Sequence, residues 1–146
     1  MSVQNPQEEE LRKLSVELRL LEQTAETLQQ RISMMNAAIA DLTYANMTLD
    51  GIKEEKDGAE LLVPIGSSSY IKVKLANVDK VIVGMGAGVS IEKTLPEAKT
   101  IVNERLTELQ KTMNSAQQQF AQIVDRINKG RRRLETLLNS AKSGNK

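Results

Sequence analysis

A chain of 146 residues is long enough for one ordinary domain, yet only 2% of it is aromatic, with Phe120, Tyr44 and Tyr70 as the whole set, so a compact core would have to form without large rings. Charged residues make up 27% but nearly cancel, leaving a net +1 and no long-range field to draw nucleic acid or an anionic membrane. Cysteine and histidine are both absent, which removes disulfides, the usual zinc ligand sets, thiol nucleophiles and the commonest general base; neither metal, cofactor nor enzymatic activity is expected.

The opening residues, MSVQNPQEEE, have neither the basic nor the apolar region of a signal peptide. No run approaches the roughly 20 apolar residues of a membrane span. A soluble, cytoplasmic protein of a reducing compartment is the expectation.

From Leu11 the apolar residues fall at Leu11, Leu14, Leu18, Leu21, Ala25, Leu28, Ile32, Met35, Ile39 and Leu42, alternately three and four apart. That spacing is a heptad seam. Asn5 suits the cap of this helix, Pro6 its first position and Glu8 a capping box, while Gly51 offers a stop. A second seam runs through Val102, Leu106, Leu109, Met113, Ala116, Phe120, Ile123, Ile127, Gly130, Leu134, Leu137 and Ala141. It follows Thr94-Leu95-Pro96-Glu97, in which Thr94 and Glu97 have capping-box spacing.

Each stripe is too narrow and too long for a globular helix, since at about 1.5 Å per residue the helices would extend roughly 60 to 70 Å. If the chain doubles back, seam residues should meet at a constant summed position. Leu49 with Val102 and Leu11 with Ala141 nearly satisfy this, which predicts an antiparallel intrachain coiled coil with both termini at its far end. Parallel coils between chains are the less favoured alternative.

Between the seams the period changes from 3.6 to 2. Ala59 to Ile65, a Gly66-Ser67-Ser68-Ser69 turn and Tyr70 to Leu75 read as strand, turn, strand. Lys80 to Met85, then Gly84-Met85-Gly86-Ala87-Gly88, then Val89 to Thr94 read as a second hairpin. The glycines invite a phosphate-loop reading, but the spacing is G-x-G-x-G, the residues after it alternate like a strand, and no Gly-Lys-Ser/Thr follows. Gly66, Gly84, Gly86 and Gly88 are expected instead to supply hairpin turns or close backbone approach.

Two hairpins with apolar faces are marginal alone. Burying Ile71, Val73, Leu75, Val81, Val83, Val89 and Ile91 at about 1.5 to 3 kcal/mol each would drive assembly with other subunits. The expected chain is therefore α+β: a coiled-coil helix over 1–51, a double β-hairpin for oligomerisation over 52–94, and a second coiled-coil helix over 95–146.

The segment DGAELLVPIGSSSYIKVKLANVDKVIVGMGAGVSIEKT, Asp57 to Thr94, resembles the alpha subunits of the archaeal prefoldin family. Leu62-Val63-Pro64-Ile65-Gly66 and Val83-Gly84-Met85-Gly86-Ala87-Gly88-Val89, followed by Glu92-Lys93, carry the likeness, whereas the helices agree chiefly in pattern and length. Two hairpins point to the alpha class. The resemblance implies an ATP-independent chaperone in which two alpha and four beta subunits join through their hairpins into an intersubunit β-barrel platform. Coiled-coil tips would then hold unfolded client proteins and deliver them to a group II chaperonin.

Near the free ends, apolar residues lie off the seam as well as on it: Val16 and Leu20 on one helix, Leu138 on the other. Gly130 contributes no knob and costs roughly 1 kcal/mol against alanine, so a looser distal coil is expected. Splaying there would expose Leu11, Leu14, Leu18, Leu134, Leu137 and Ala141 beside Val16, Leu20 and Leu138 as grips for unfolded chains. The rival reading is a structural coiled-coil scaffold or tether that oligomerises through the same hairpins.

Arg131-Arg132-Arg133 invites a nucleic-acid reading, but successive helical positions spread over different faces and Glu8 to Glu10 lie near the same end; ion pairing is expected. Asp50, Glu54, Glu55 and Asp57 read as a charged loop. Asn46 falls at a seam position, where a buried amide can set pairing.

Overall fold

The computed structural model describes residues 5–144, so the outermost ends of the helical segments expected over 1–51 and 95–146 lie outside the described residues. Six elements follow in order: α1 (Pro6–Lys53), β1 (Glu60–Gly66), β2 (Ser69–Lys74), β3 (Lys80–Gly86), β4 (Val89–Thr94) and α2 (Leu95–Gly144). They form two compact units, one of the residues up to Asn36 together with those from Lys111 onward, the other Ala37–Gln110.

Local chemistry accounts for the helix starts. The Asn5 side chain accepts a hydrogen bond from the Gln7 N–H at 3.1 Å, and Thr94 Oγ1 accepts one from the Glu97 N–H at 3.3 Å, so each helix has an N-terminal donor satisfied by a short polar side chain. The expected stop at Gly51 is overridden: α1 continues to Lys53. Glycine inside a helix costs about 1 kcal/mol, which one extra turn with half-buried Ile52 can offset.

The first unit is a two-helix coil with Leu18, Leu28, Met35, Met113, Ala116, Ile127 and Leu137 buried. Its helices run antiparallel, since Glu10 lies 2.9 Å from Arg133 while Leu18, further along α1, packs on Gly130, earlier in α2. The axial register differs from the expected one by about one turn. Constant spacing from Leu11 and Ala141 would set Leu18 level with Leu134, but a Cβ built on Gly130 would lie 2.6 Å from Leu18 Cδ2 and 3.7 Å from Leu14 Cδ1. Leu18 therefore fills the notch that glycine leaves, and the seam is closed there where a loosening was expected.

In the second unit, the helical segments pair through Asn46 Nδ2, which donates to Asn103 Oδ1 at 2.9 Å, and through the Lys99–Asp50 ion pair. Asn46 Oδ1 is buried and meets no hydrogen-bond partner. An unpaired buried acceptor costs about 1 to 3 kcal/mol, which fits an amide retained for register and not for stability. Val83, Ala98 and Val102 are the buried apolar residues of this unit.

The strands form two separate antiparallel hairpins, β1–β2 and β3–β4. The expected four-residue turn Gly66–Ser69 is tighter: Ser67 and Ser68 alone connect the strands, at φ 48° and 58°, after Gly66 at 106°. The second turn repeats this with Ala87 at 52° and Gly88 at 76°, after Gly86 at 99°. Positive φ in a two-residue loop matches the twist of a hairpin, and glycine adopts it without steric cost. Ala87 bears that cost, so Ala87→Gly is expected to raise stability by about 0.5 to 1 kcal/mol, read as a higher urea midpoint. A lower midpoint would contradict the strain.

The two hairpins superpose in register with a shift of twenty positions. Glu60 faces Lys74 as Lys80 faces Thr94, Pro64 faces Tyr70 as Gly84 faces Ser90, and each first strand is bulged one residue before its turn. Only Val63/Val83, Gly66/Gly86, Ile71/Ile91 and Leu75/Leu95 are identical across the repeat, which is why pairing shows it and the residue letters hide it.

Candidate functional site

Side chains alternate across a strand, so the observed pairs sort the residues into faces. In the first hairpin Leu61 pairs with Val73 and Val63 with Ile71, giving one apolar face, while Leu62, Pro64 and Tyr70 share the other with Lys72 and Lys74. In the second, Val83 pairs with Ile91 and Val81 with Lys93, and Ile82 lies opposite Glu92 on the reverse face. Of the residues expected to drive assembly, Ile71, Val89 and Ile91 are exposed, Val73, Leu75 and Val81 half-buried, and Val83 buried at 9%. Leu62, Val63, Ile65, Tyr70 and Ile82 add to the exposed apolar surface. Alternation within Ala59–Ile65 was the available signal for Val63.

Gly84 stands apart from the turn glycines. It lies within β3, and its carbonyl accepts a hydrogen bond from Arg105 Nη2 of α2 at 2.8 Å, with Met85 Sδ 3.9 Å from the same nitrogen. Nothing in the local sequence announces this tie, because Arg105 is twenty-one residues away on a heptad helix. Asp57, read from the sequence as part of a charged loop, accepts the Val78 N–H at 2.8 Å and so joins the start of the first hairpin to the linker between hairpins. An open groove lined by Leu49, Asp50, Leu95, Pro96, Lys99 and Asn103 holds the Lys99–Asp50 pair.

At the end of the first unit, Leu18 and Leu137 are buried at 6% and 5%, Leu11, Leu14 and Leu134 are half-buried, and Ala141 is exposed. Val16, Leu20 and Leu138 stand at 51%, 57% and 45% exposure. The structure thus places the off-seam trio at the surface and the leucines of the seam against the opposing helix. Arg131 and Arg133 are paired with Glu22 and Glu10, and Arg126 lies 3.5 Å from Glu17; these are exposed contacts, each contributing at most about 1 kcal/mol. Met34 in the first unit and Tyr44 and Met47 in the second are further exposed apolar residues that a scan for off-seam positions along the whole helix would have found.

Among the described residues, no helix is long and apolar enough to cross a membrane, and no group of three or more histidine, cysteine, aspartate or glutamate side chains is placed to hold a metal ion.

Two helices flanking a twin-hairpin connector are a specific arrangement, and comparison with known proteins matches it. The family model described as prefoldin subunit covers residues 21–140. The chain belongs to the prefoldin family. It is 34% identical over 120 residues to the prefoldin subunit alpha of Methanococcoides burtonii, an alignment covering 82% of this chain and 87% of that one. To the prefoldin subunit alpha of Pyrococcus horikoshii it is 32% identical over 119 residues, covering 81% and 80%. Among solved structures, a chain of the filamentous prefoldin of Methanocaldococcus jannaschii superposes with a TM-score of 0.65 at 28% identity, over 76% of this chain and 92% of that one. The prefoldin match takes in the whole connector and most of both helices, so this is a prefoldin-type chaperone subunit.

Proposed function

We propose that this chain is the alpha-type subunit of an ATP-independent, non-enzymatic holdase of the cytoplasm, in which two alpha and four beta subunits assemble through connector residues 52–94 into a β-barrel platform. Coiled-coil ends grip unfolded proteins and pass them to a group II chaperonin. Nucleic acid and membrane have no part in this reading.

The observation that carries it is the exposure of Val16, Leu20 and Leu138 beside a buried seam. A tether would do better with polar residues there, since exposed aliphatic groups add no stability to the coil and invite association. Grips of this kind bind weakly and without a defined epitope, and several arms acting together supply avidity. Opening of the coil would add Leu11, Leu14, Leu18, Leu134 and Leu137, with Ala141, to the same surface.

The test mixes the chain with beta subunits, determines the mass of the complex, and measures suppression of aggregation of a denatured protein without ATP. Serine at Val16, Leu20 and Leu138 together is expected to weaken suppression on the order of tenfold, equivalent to about 1.4 kcal/mol, at unchanged complex mass. Full suppression by that variant would point to a tether or to a different gripping surface.

A further inference from the structure

Two hairpins of matching register would be expected to meet the helices in the same way, and they do not. Among the described residues, Val83 is the one strand residue that is buried, while its repeat equivalent Val63 is 42% exposed. The chain joins each hairpin to a helix differently. Residues 54–59 separate α1 from β1, whereas β4 ends at Thr94 and α2 begins at Leu95 with no linker between them.

Hydrogen bonds follow the same division. The first hairpin is closed at its base by the Leu75 N–H, which donates to the Ala59 carbonyl at 2.8 Å, and by the Gly58 N–H, which donates to the Leu75 carbonyl at 2.7 Å. The Val78 N–H donates to Asp57 Oδ1 at 2.8 Å. All of these partners lie in the hairpin or its linkers, and among the described residues no hydrogen bond or ion pair joins β1 or β2 to a helix. The second hairpin is joined to α2 twice. At its base the Leu95 N–H donates to the Asp79 carbonyl at 3.0 Å. Nearer its turn, Arg105 Nη2 donates to the Gly84 carbonyl at 2.8 Å and lies 3.9 Å from Met85 Sδ.

A hairpin attached at its base alone can swing about that point, and a second attachment near the turn removes the freedom. The guanidinium donor makes the second bond charge-assisted, and its acceptor is backbone, so it fixes the strand itself and not a flexible side chain. A Cβ on Gly84 would meet nothing within 4 Å, so the tie and not close packing distinguishes this position. The first hairpin has no counterpart: the residue as far beyond Pro64 as Arg105 is beyond Gly84 is Met85, itself in β3. We infer that Arg105 is a positioning residue that makes the second hairpin and the start of α2 one rigid piece and leaves the first hairpin to move on its linkers. The direction in which α2 leaves the connector is then set by the second hairpin, with the linker residues absorbing motion of the first.

The absence of native cysteine allows spin labels to be placed in chosen pairs. Tyr70 and Ser90 are repeat equivalents, both exposed, and Glu104 is an exposed position on α2. In the full-length chain, diluted with unlabelled chain so that only distances within one copy are read, labels on Ser90→Cys and Glu104→Cys are expected to give a narrow distance distribution. Labels on Tyr70→Cys and Glu104→Cys are expected to give a broad one. Arg105→Met keeps an unbranched stem without the donors; it should broaden the 90–104 distribution to the breadth of the 70–104 pair and leave the latter unchanged. Amide exchange within β3 and β4 should stay at the wild-type rate, since the hairpin's own ladder is intact. Equal breadth of the two pairs in the wild-type chain overturns the asymmetry. A 90–104 distribution that stays narrow in Arg105→Met overturns the role of Arg105, as does broadening accompanied by faster exchange through both strands, because Arg105 would then hold the hairpin together and not in place.

Discussion

Aspartate at both Val63 and Ile71 is expected to reduce the assembled complex to free subunits. The two residues face each other across β1 and β2 and are 42% and 49% exposed in the isolated chain. In the free hairpin the substitutions place like charges opposite one another, a cross-strand penalty of about 0.2 to 1 kcal/mol. In an assembly that buries the face, each loses about 1.5 to 3 kcal/mol of apolar burial and each carboxylate must also shed its water. Destabilisation therefore falls chiefly on the interface. Helical content should be unchanged, because α1 and α2 have their own seam, while sedimentation should report the monomer mass. A variant that still sediments with the wild-type complex would show that this face is not the one covered.

Leu18→Ala is expected to destabilise the coil of the first unit by about 2 to 5 kcal/mol, toward the upper part of that range. Leu18 is 6% exposed, and its Cδ2 occupies the place where a side chain on residue 130 would begin. Glycine opposite has nothing with which to refill the cavity, and cavity volume is what raises the cost of a leucine truncation. The surrounding ion pairs, Arg126–Glu17, Arg131–Glu22 and Arg133–Glu10, are exposed and too weak to compensate. Amide hydrogen exchange should accelerate through residues 11–21 and 130–141. Unchanged exchange there would mean that Leu18 does not hold the two helices together. If the ends act by opening, this variant should retain or gain capture of unfolded protein even as its coil weakens, the reverse of the serine substitutions at Val16, Leu20 and Leu138.

Both expectations depend on features that were legible to different degrees. The helices, their caps at Asn5 and Thr94, the two hairpins and the apolar face of Ile71, Val73 and Leu75 follow from spacing over a few residues. Such features arise from interactions between near neighbours, so the residue letters suffice. The exposed trio Val16, Leu20 and Leu138 was equally legible, because a heptad seam is narrow and residues outside it have nowhere else to go.

Other features required the chain to be folded on itself. Gly51 reads as a stop and lies inside α1, since tertiary context outweighs a propensity difference of about 1 kcal/mol. The one-turn slip that seats Leu18 on Gly130 is a matter of shape, because a constant three-four count fits several axial registers equally well. The equivalence of the two hairpins lies in backbone pairing and not in side-chain identity. That the Gly84 carbonyl of β3 is occupied could not be read from residues 60–94, because Arg105 reaches it from the neighbouring helix. Composition and periodicity by themselves determined that this protein is two long helices around a pair of hairpins with apolar surface at the connector and at the chain ends. Tertiary structure alone decided how the helices interlock and that α2 is tied to β3, because those depend on contacts between residues far apart in the chain.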